Sequence, residues 1–177
     1  MPRITIHDGP GSIEQRMFQQ LRPELQEASA AMRNAVYGHT ILPWRTFEGV
    51  RYRMAIANGC LVCQSLEART QAALDAGFTE SMYEEMDAGS WRESEAFSPA
   101  EKLAIDFAER FALDHESIDD DFWVRLHAQY GDAEIVDLTF VAGRFMAFGR
   151  LTHVLGLDDS CEVPLQAEDR ASVAGAR

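Results

Sequence analysis

The chain has 177 residues, 46% of them hydrophobic, and a formal net charge of -13. That length suits one domain with a sizeable core, and two ordinary domains are not the default. The acidity argues against nucleic acid or an anionic membrane surface as partner. No apolar run approaches the ~20 residues of a membrane-spanning helix, and the opening MPRITIHDGPGS lacks the apolar core of a secretory signal. A cytoplasmic location is the resulting expectation.

The dominant period along the chain is helical. ITI at 4–6 is the one short run with strand character. Leu21, Leu25, Ala28, Met32 and Ala35 form a stripe, with Pro23 in the first turn, and Phe47, Val50, Met54 and Ala57 form another. Gly59 then breaks the chain. The pattern predicts a helix from about Cys60 to Gly77 and a short one from about Thr79 to Ala88. SPAEKLAIDFAERFA carries the clearest start signal: Ser98, Pro99 at the first helical position, and Glu101 completing a capping box. One of Asp119, Asp120 and Asp121 caps a helix ending near Gly131. The last helix runs from about Ala133 to Leu155 and is apolar on several faces, which suits a central position or a subunit contact. The fold class expected is all-α. Residues 1–40 read as an N-terminal extension with a helix packed on the core, 41–160 as the main domain, and 161–177 as a mobile tail.

Chemistry concentrates in ANGCLVCQSLEART, where Cys60 and Cys63 are separated by two residues. The spacing puts both sulfurs on one helix face, near enough to bond, and a helix start favours a thiolate. Three readings stay open on these residues alone: a redox couple, half of a zinc site, or two small buried side chains. A thioredoxin-like motif needs a βαβ context that the helical pattern lacks. Zinc needs two more ligands, and His7, His39, His115, His127 and His153 are scattered. Cys161, in a polar acidic stretch, reads as a bystander. Glu48 lies twelve residues before Cys60 on the preceding helix. Glu67 follows Cys63 by four and is expected on the same face one turn along. Either carboxylate can accept a thiol proton, and the two facing each other in a dry pocket would share one. Arg51, Arg53 and Arg150 are candidate carboxylate binders or, more simply, ion-pair partners for the many acidic residues.

The run FEGVRYRMAIANGCLVCQSLEART resembles the carboxymuconolactone decarboxylase-like superfamily, specifically its alkylhydroperoxidase AhpD-like branch. That branch carries a glutamate, eleven residues, CxxC, three residues and a histidine; Glu48, Cys60 and Cys63 match in type and spacing. SPAEKLAIDFAERFA and YGDAEIVDLTFVAGRFMAFGR follow in the order the family shows, so the likeness covers roughly 40–155. The resemblance implies an AhpD-like helical domain assembled as a trimer or hexamer, with no metal or organic cofactor. It implies thiol-dependent reduction of a peroxide, with a dithiol as reductant. Carried over, Cys63 is the peroxidatic thiol, Cys60 the resolving thiol, and Glu48 part of a proton relay. The position of the family's histidine is Glu67, and Leu61 and Val62 stand inside the CxxC, where the branch often has a second histidine. Loss of those imidazoles removes the side chains best suited to proton transfer near neutral pH, so the expected activity is weak and Glu67 is the candidate substitute. A non-catalytic or redox-sensing oligomer and a decarboxylase-type small-molecule enzyme are the alternatives.

Overall fold

The computed structural model describes residues 3–157; Cys161 and the expected mobile tail lie outside the described residues. Nine α-helices occur among them, with no strand. Helix α1 (Ile13–Leu21) and α2 (Pro23–His39) lead into α3 (Trp44–Asn58). A broken segment follows, with α4 (Leu61–Gln64) and α5 (Gln71–Asp75) separated by a 3-10 turn over Leu66–Ala68. Then come α6 (Glu80–Ala88), α7 (Pro99–Leu113), α8 (Asp120–His127) and α9 (Asp132–Val154).

Helix α3 is the centre of the molecule. It packs along α7 on one side and α9 on another. Phe47, Val50 and Met54 are fully buried and meet Leu103, Phe107 and Leu138 in the main core. Each such side chain contributes about 1.5–3 kcal/mol by leaving water. A second apolar cluster, built on Phe78, Met82, Tyr83 and Trp91, seals the other flank of α3 and α7. Being enclosed from both sides, α3 can hold charged side chains in the interior only where they pair with each other.

The start signal read from Ser98 is present in full. The Ser98 hydroxyl accepts from the Glu101 N–H at 3.2 Å, and Glu101 Oε2 accepts from the Ser98 N–H at 2.8 Å. Asp119 caps α8 by accepting from the Phe122 N–H at 2.8 Å, though α8 ends at His127, short of Gly131. Helix α1 has its own capping box, from Ser12 and Gln15, which the sequence reading did not single out. The ITI run pairs with no strand; Ile4 and Ile6 pack instead on Met17, Phe18 and Leu157.

Helix α9 is central along one side only. Ile135, Leu138, Val141 and Ala142 are buried, while Val136 and Phe140 are 68% and 45% exposed. Near its end it approaches α3 closely at Gly149, where a Cβ would lie 2.5 Å from Asn58 Nδ2 and 3.2 Å from its Cγ. Asn58 is not free to move away, because its amide donates to the Phe145 carbonyl at 3.0 Å and accepts from Arg150 Nε at 3.2 Å. Gly149→Ala is therefore expected to destabilise the fold by about 1–3 kcal/mol through overpacking. Chemical denaturation at neutral pH reads this directly; an unchanged midpoint would show that the two helices can part at no cost.

Candidate active site

Helix α3 ends because Gly59 takes a left-handed conformation, φ 64°, which only glycine adopts cheaply. Cys60 follows in extended geometry and caps the single turn of α4, its sulfur accepting from the Cys63 N–H at 3.4 Å. Cys60 and Cys63 form a disulfide with Cα atoms 5.4 Å apart, within the ordinary range for such a bond. The two sulfurs differ in access. Cys60 is fully buried. Cys63 is half-buried and lines a cavity of about 550 Å³.

The helix predicted from Cys60 to Gly77 is not continuous. It breaks after Gln64, where Ser65 is extended (ψ 159°), and resumes only at Gln71. The cause lies on α3. In an unbroken helix the Cys63 carbonyl would accept from the Glu67 N–H; here it accepts from Arg51 Nη1 at 2.6 Å. One consequence is that α4, at four residues, carries little of the dipole that the sequence reading invoked for a thiolate. Another is that Glu67 does not sit one turn along a common helix face from Cys63. It lies exposed in the 3-10 turn and still reaches the same cavity.

Glu48 and Arg51 are one turn apart on α3, and both are almost wholly buried. Arg51 Nη2 meets Glu48 Oε1 at 2.6 Å and its Nε meets Oε2 at 2.9 Å, a two-pronged pairing. The Tyr83 hydroxyl donates to Glu48 Oε1 at 2.6 Å. Burial alone would raise the Glu48 pKa. The Arg51 charge and the hydrogen bonds from Arg51 and Tyr83 outweigh it and hold the carboxyl below its usual range. Tyr83 moves the other way. Burial, then the adjacent carboxylate, push its phenol far above the ordinary value, so it stays a donor. The result is a buried chain from Tyr83 through Glu48 and Arg51 to the Cys63 carbonyl.

Arg51, Arg53 and Arg150, the candidate carboxylate binders, are all engaged within the protein. Arg51 is held by Glu48, and Arg53 Nε pairs with Glu109 at 2.9 Å. Arg150 donates to Asn58 Oδ1 and to the Ala112 carbonyl. Tyr83 was not foreseen as part of the site; it lies thirty-five residues from Glu48 and no local spacing joins them. Of the histidines, the His153 ring lies against Gly59, about 3.7 Å from where a Cβ there would stand. Among the described residues, no three His, Cys, Asp or Glu side chains are grouped to hold a metal ion. No helix among them is long and apolar enough to cross a membrane.

The cavity wall also includes residues from outside the CxxC region. Ile13, Glu14, Arg33, Asn34 and Tyr37 reach it from α1 and α2; Phe145, Phe148 and Thr152 reach it from α9. Arg144 and Glu14, both lining it, form an ion pair at 2.9 Å that ties α9 to α1.

A family model described as the carboxymuconolactone decarboxylase family matches residues 23–110. The Bacillus subtilis protein YdfG, itself uncharacterized, is 27% identical over 112 residues, which is 63% of this chain and 74% of that one. An uncharacterized Mycobacterium tuberculosis protein is 34% identical over 95 residues, covering 54% of this chain and 32% of the relative, so the match spans about a third of it. Among solved structures, an Agrobacterium tumefaciens protein of unknown function, suggested to be an antioxidant defence protein AhpD, superposes with a TM-score of 0.67 at 24% identity. That match covers 78% of this chain and 92% of the other. An uncharacterized peroxidase-related protein from Silicibacter gives a TM-score of 0.68 at 17% identity, covering 88% and 90%. These two likenesses establish the shared helical fold.

Proposed function

The chain belongs to the carboxymuconolactone decarboxylase family, and from that premise we propose that it is a thiol-dependent, alkylhydroperoxidase-type oxidoreductase working through Cys60 and Cys63. The observation that carries this reading is the unequal access of the two sulfurs: Cys63 faces a cavity of about 550 Å³ while Cys60 is buried behind it. An attacking thiol must reach its substrate, whereas a resolving thiol need only reach its neighbour.

The reaction begins from the reduced pair. Cys63 thiolate attacks the terminal oxygen of a hydroperoxide; the S–O bond forms as the O–O bond breaks. The departing alkoxide takes a proton and leaves as the alcohol, and Cys63 becomes a sulfenic acid. The Cys60 thiol then attacks the Cys63 sulfur, the disulfide forms, and the hydroxyl leaves with a proton as water. An external dithiol donates two electrons and two protons, restoring both thiols and becoming a disulfide itself.

Arg51, paired with Glu48, fixes the Cys63 backbone through its carbonyl in a site where the family pattern has a histidine to accept the thiol proton. Glu48 works through Arg51 as a positioning residue, since a carboxyl held ionised in a buried pair is a poor proton carrier near neutral pH. Glu67, at the cavity wall, is the group placed to exchange protons with solvent. A symmetric assembly of several copies is part of the proposal, supported by the exposed Val136 and Phe140 of α9.

Steady-state consumption of an organic hydroperoxide with a dithiol tests the reading. The parent turns over, Cys63→Ser abolishes turnover, and Glu67→Gln slows it by about tenfold or more. Equal rates for the parent and Cys63→Ser would refute the peroxidase assignment; equal rates for the parent and Glu67→Gln would remove only Glu67 from it.

A further inference from the structure

Four arginines line the cavity: Arg33, Arg51, Arg69 and Arg144. Three are engaged by carboxylates. Arg51 is paired with Glu48, Arg144 with Glu14, and Arg69 with Glu80 while also lying over the Tyr83 ring. Arg33, on α2, is different. It is partly buried at the wall and makes no hydrogen bond or ion pair among the described residues. A protein with a net charge of -13 has carboxylates in excess, so a guanidinium left unpaired at a cavity wall needs another explanation than a shortage of partners.

The remaining acidic groups at the wall are occupied. Asp75 accepts from Gln71 Nε2 at 2.9 Å, Glu14 is shared between Arg144 and Ser29, and Glu67 has an interaction of its own. Beside Arg33 stands Asn34, whose amide supplies further donors. Much of the remaining wall is apolar or aromatic, including Tyr37, Trp44, Val62, Phe145 and Phe148. The volume falls within the range that encloses a drug-sized molecule. An apolar body with one anionic end matches this lining: the rings take the body, Arg33 takes the charge in a charge-assisted pair, and the reactive group reaches Cys63.

We propose that the cavity is a binding site for organic hydroperoxides that carry a carboxylate, with Arg33 as the residue that selects for the charge. The inference rests on the peroxidase reading for its chemistry, which is the same thiol attack, and on Arg33 for its selectivity.

The para-carboxylate of cumene hydroperoxide and its methyl ester differ in the charge and little else. With the parent enzyme and a dithiol, kcat/KM for the acid should exceed that for the ester by about tenfold, the usual scale of one hydrogen-bonded charge. Arg33→Gln should erase the difference, mainly through KM. A preference absent in the parent, or intact in Arg33→Gln, overturns the proposal. Calorimetric titration of the disulfide form with the corresponding alcohols needs no turnover and separates the two claims. If neither hydroperoxide is consumed yet the carboxylated alcohol binds through Arg33 and its ester does not, the site stands and the peroxidase reading falls. If the two alcohols bind alike, or neither binds, the site falls whatever the kinetics show.

Discussion

Replacing Glu48 with glutamine should destabilise the protein by about 3–5 kcal/mol at neutral pH, the scale for removing one member of a buried ion pair. The substitution leaves the Arg51 guanidinium fully buried without its counter-charge, and weakens the acceptor for the Tyr83 hydroxyl. Domains of this size are stable by only about 5–15 kcal/mol, so the loss is a large share of the whole. Its pH dependence is also defined. The Glu48 pKa is lower in the folded chain than its ordinary value of 4.5. Its contribution is therefore fully present above that value and is lost as the pH falls from there through the lowered folded pKa. Parent and variant should thus differ most at neutral pH and converge in acid. Urea midpoints measured at pH 7 and at several acidic pH values decide this; parallel curves with a constant gap would show that the Glu48 charge does not matter.

Removing both members of the pair should have a different signature. Glu48→Gln combined with Arg51→Met takes away the isolated charge, so the double variant should be more stable than Glu48→Gln alone. Its chemistry should suffer instead. Arg51 Nη1 donates to the Cys63 carbonyl at 2.6 Å, and so holds the turn that presents the thiol to the cavity. In the reduced double variant, where that turn is released, alkylation of Cys63 should differ from the parent's in rate across the pH range, with no particular shift in its midpoint because the two opposite charges are removed together. Peroxide consumption at pH 7 should fall by about tenfold along with it. A variant that is stably folded and keeps the parent's alkylation rates would remove Arg51 from the mechanism and leave it only a structural role.

The helices legible in the sequence are those whose signals are local. The Ser98–Pro99–Glu101 start, with apolar residues at helical spacing behind it, specifies α7 without reference to any other element. The long apolar run after Gly131 does the same for α9. Helix α1 carries a local signal too, the Ser12–Gln15 capping box with Ile13, Met17, Phe18 and Leu21 behind it, but at nine residues it is short and follows a glycine-rich stretch. It is held by packing of Met17 and Phe18 on Leu157, at the far end of the described chain. The break at Ser65 could not be read at all from its own neighbourhood. It depends on a guanidinium arriving from α3 to occupy the Cys63 carbonyl, a contact twelve residues distant.

The site divides in the same way. Cys60 and Cys63 are adjacent because a single turn of chain connects them, and spacing alone suffices to anticipate that. Glu48 and Arg51 share a face of α3 through their i, i+3 offset, so their pairing was also within reach. The difference in burial between the two sulfurs was not, since it is created by the packing of α4 against α3 and by the elements around the cavity. Residues such as Arg33 and Tyr37 enter the site only because α2 packs against α9, a tertiary contact without a sequence pattern. The sequence therefore indicates the two thiols on which the proposal rests, and the packing decides which of them is open to the cavity.

That division of labour between the sulfurs can be measured directly. Reduced Cys60→Ser and Cys63→Ser proteins are each treated with one equivalent of an organic hydroperoxide in the presence of dimedone, and the adducts are located by peptide mass spectrometry. A sulfenic acid adduct is expected on Cys63 in Cys60→Ser and none on Cys60 in Cys63→Ser. An adduct on Cys60, or no adduct on Cys63 in folded protein, would contradict that division.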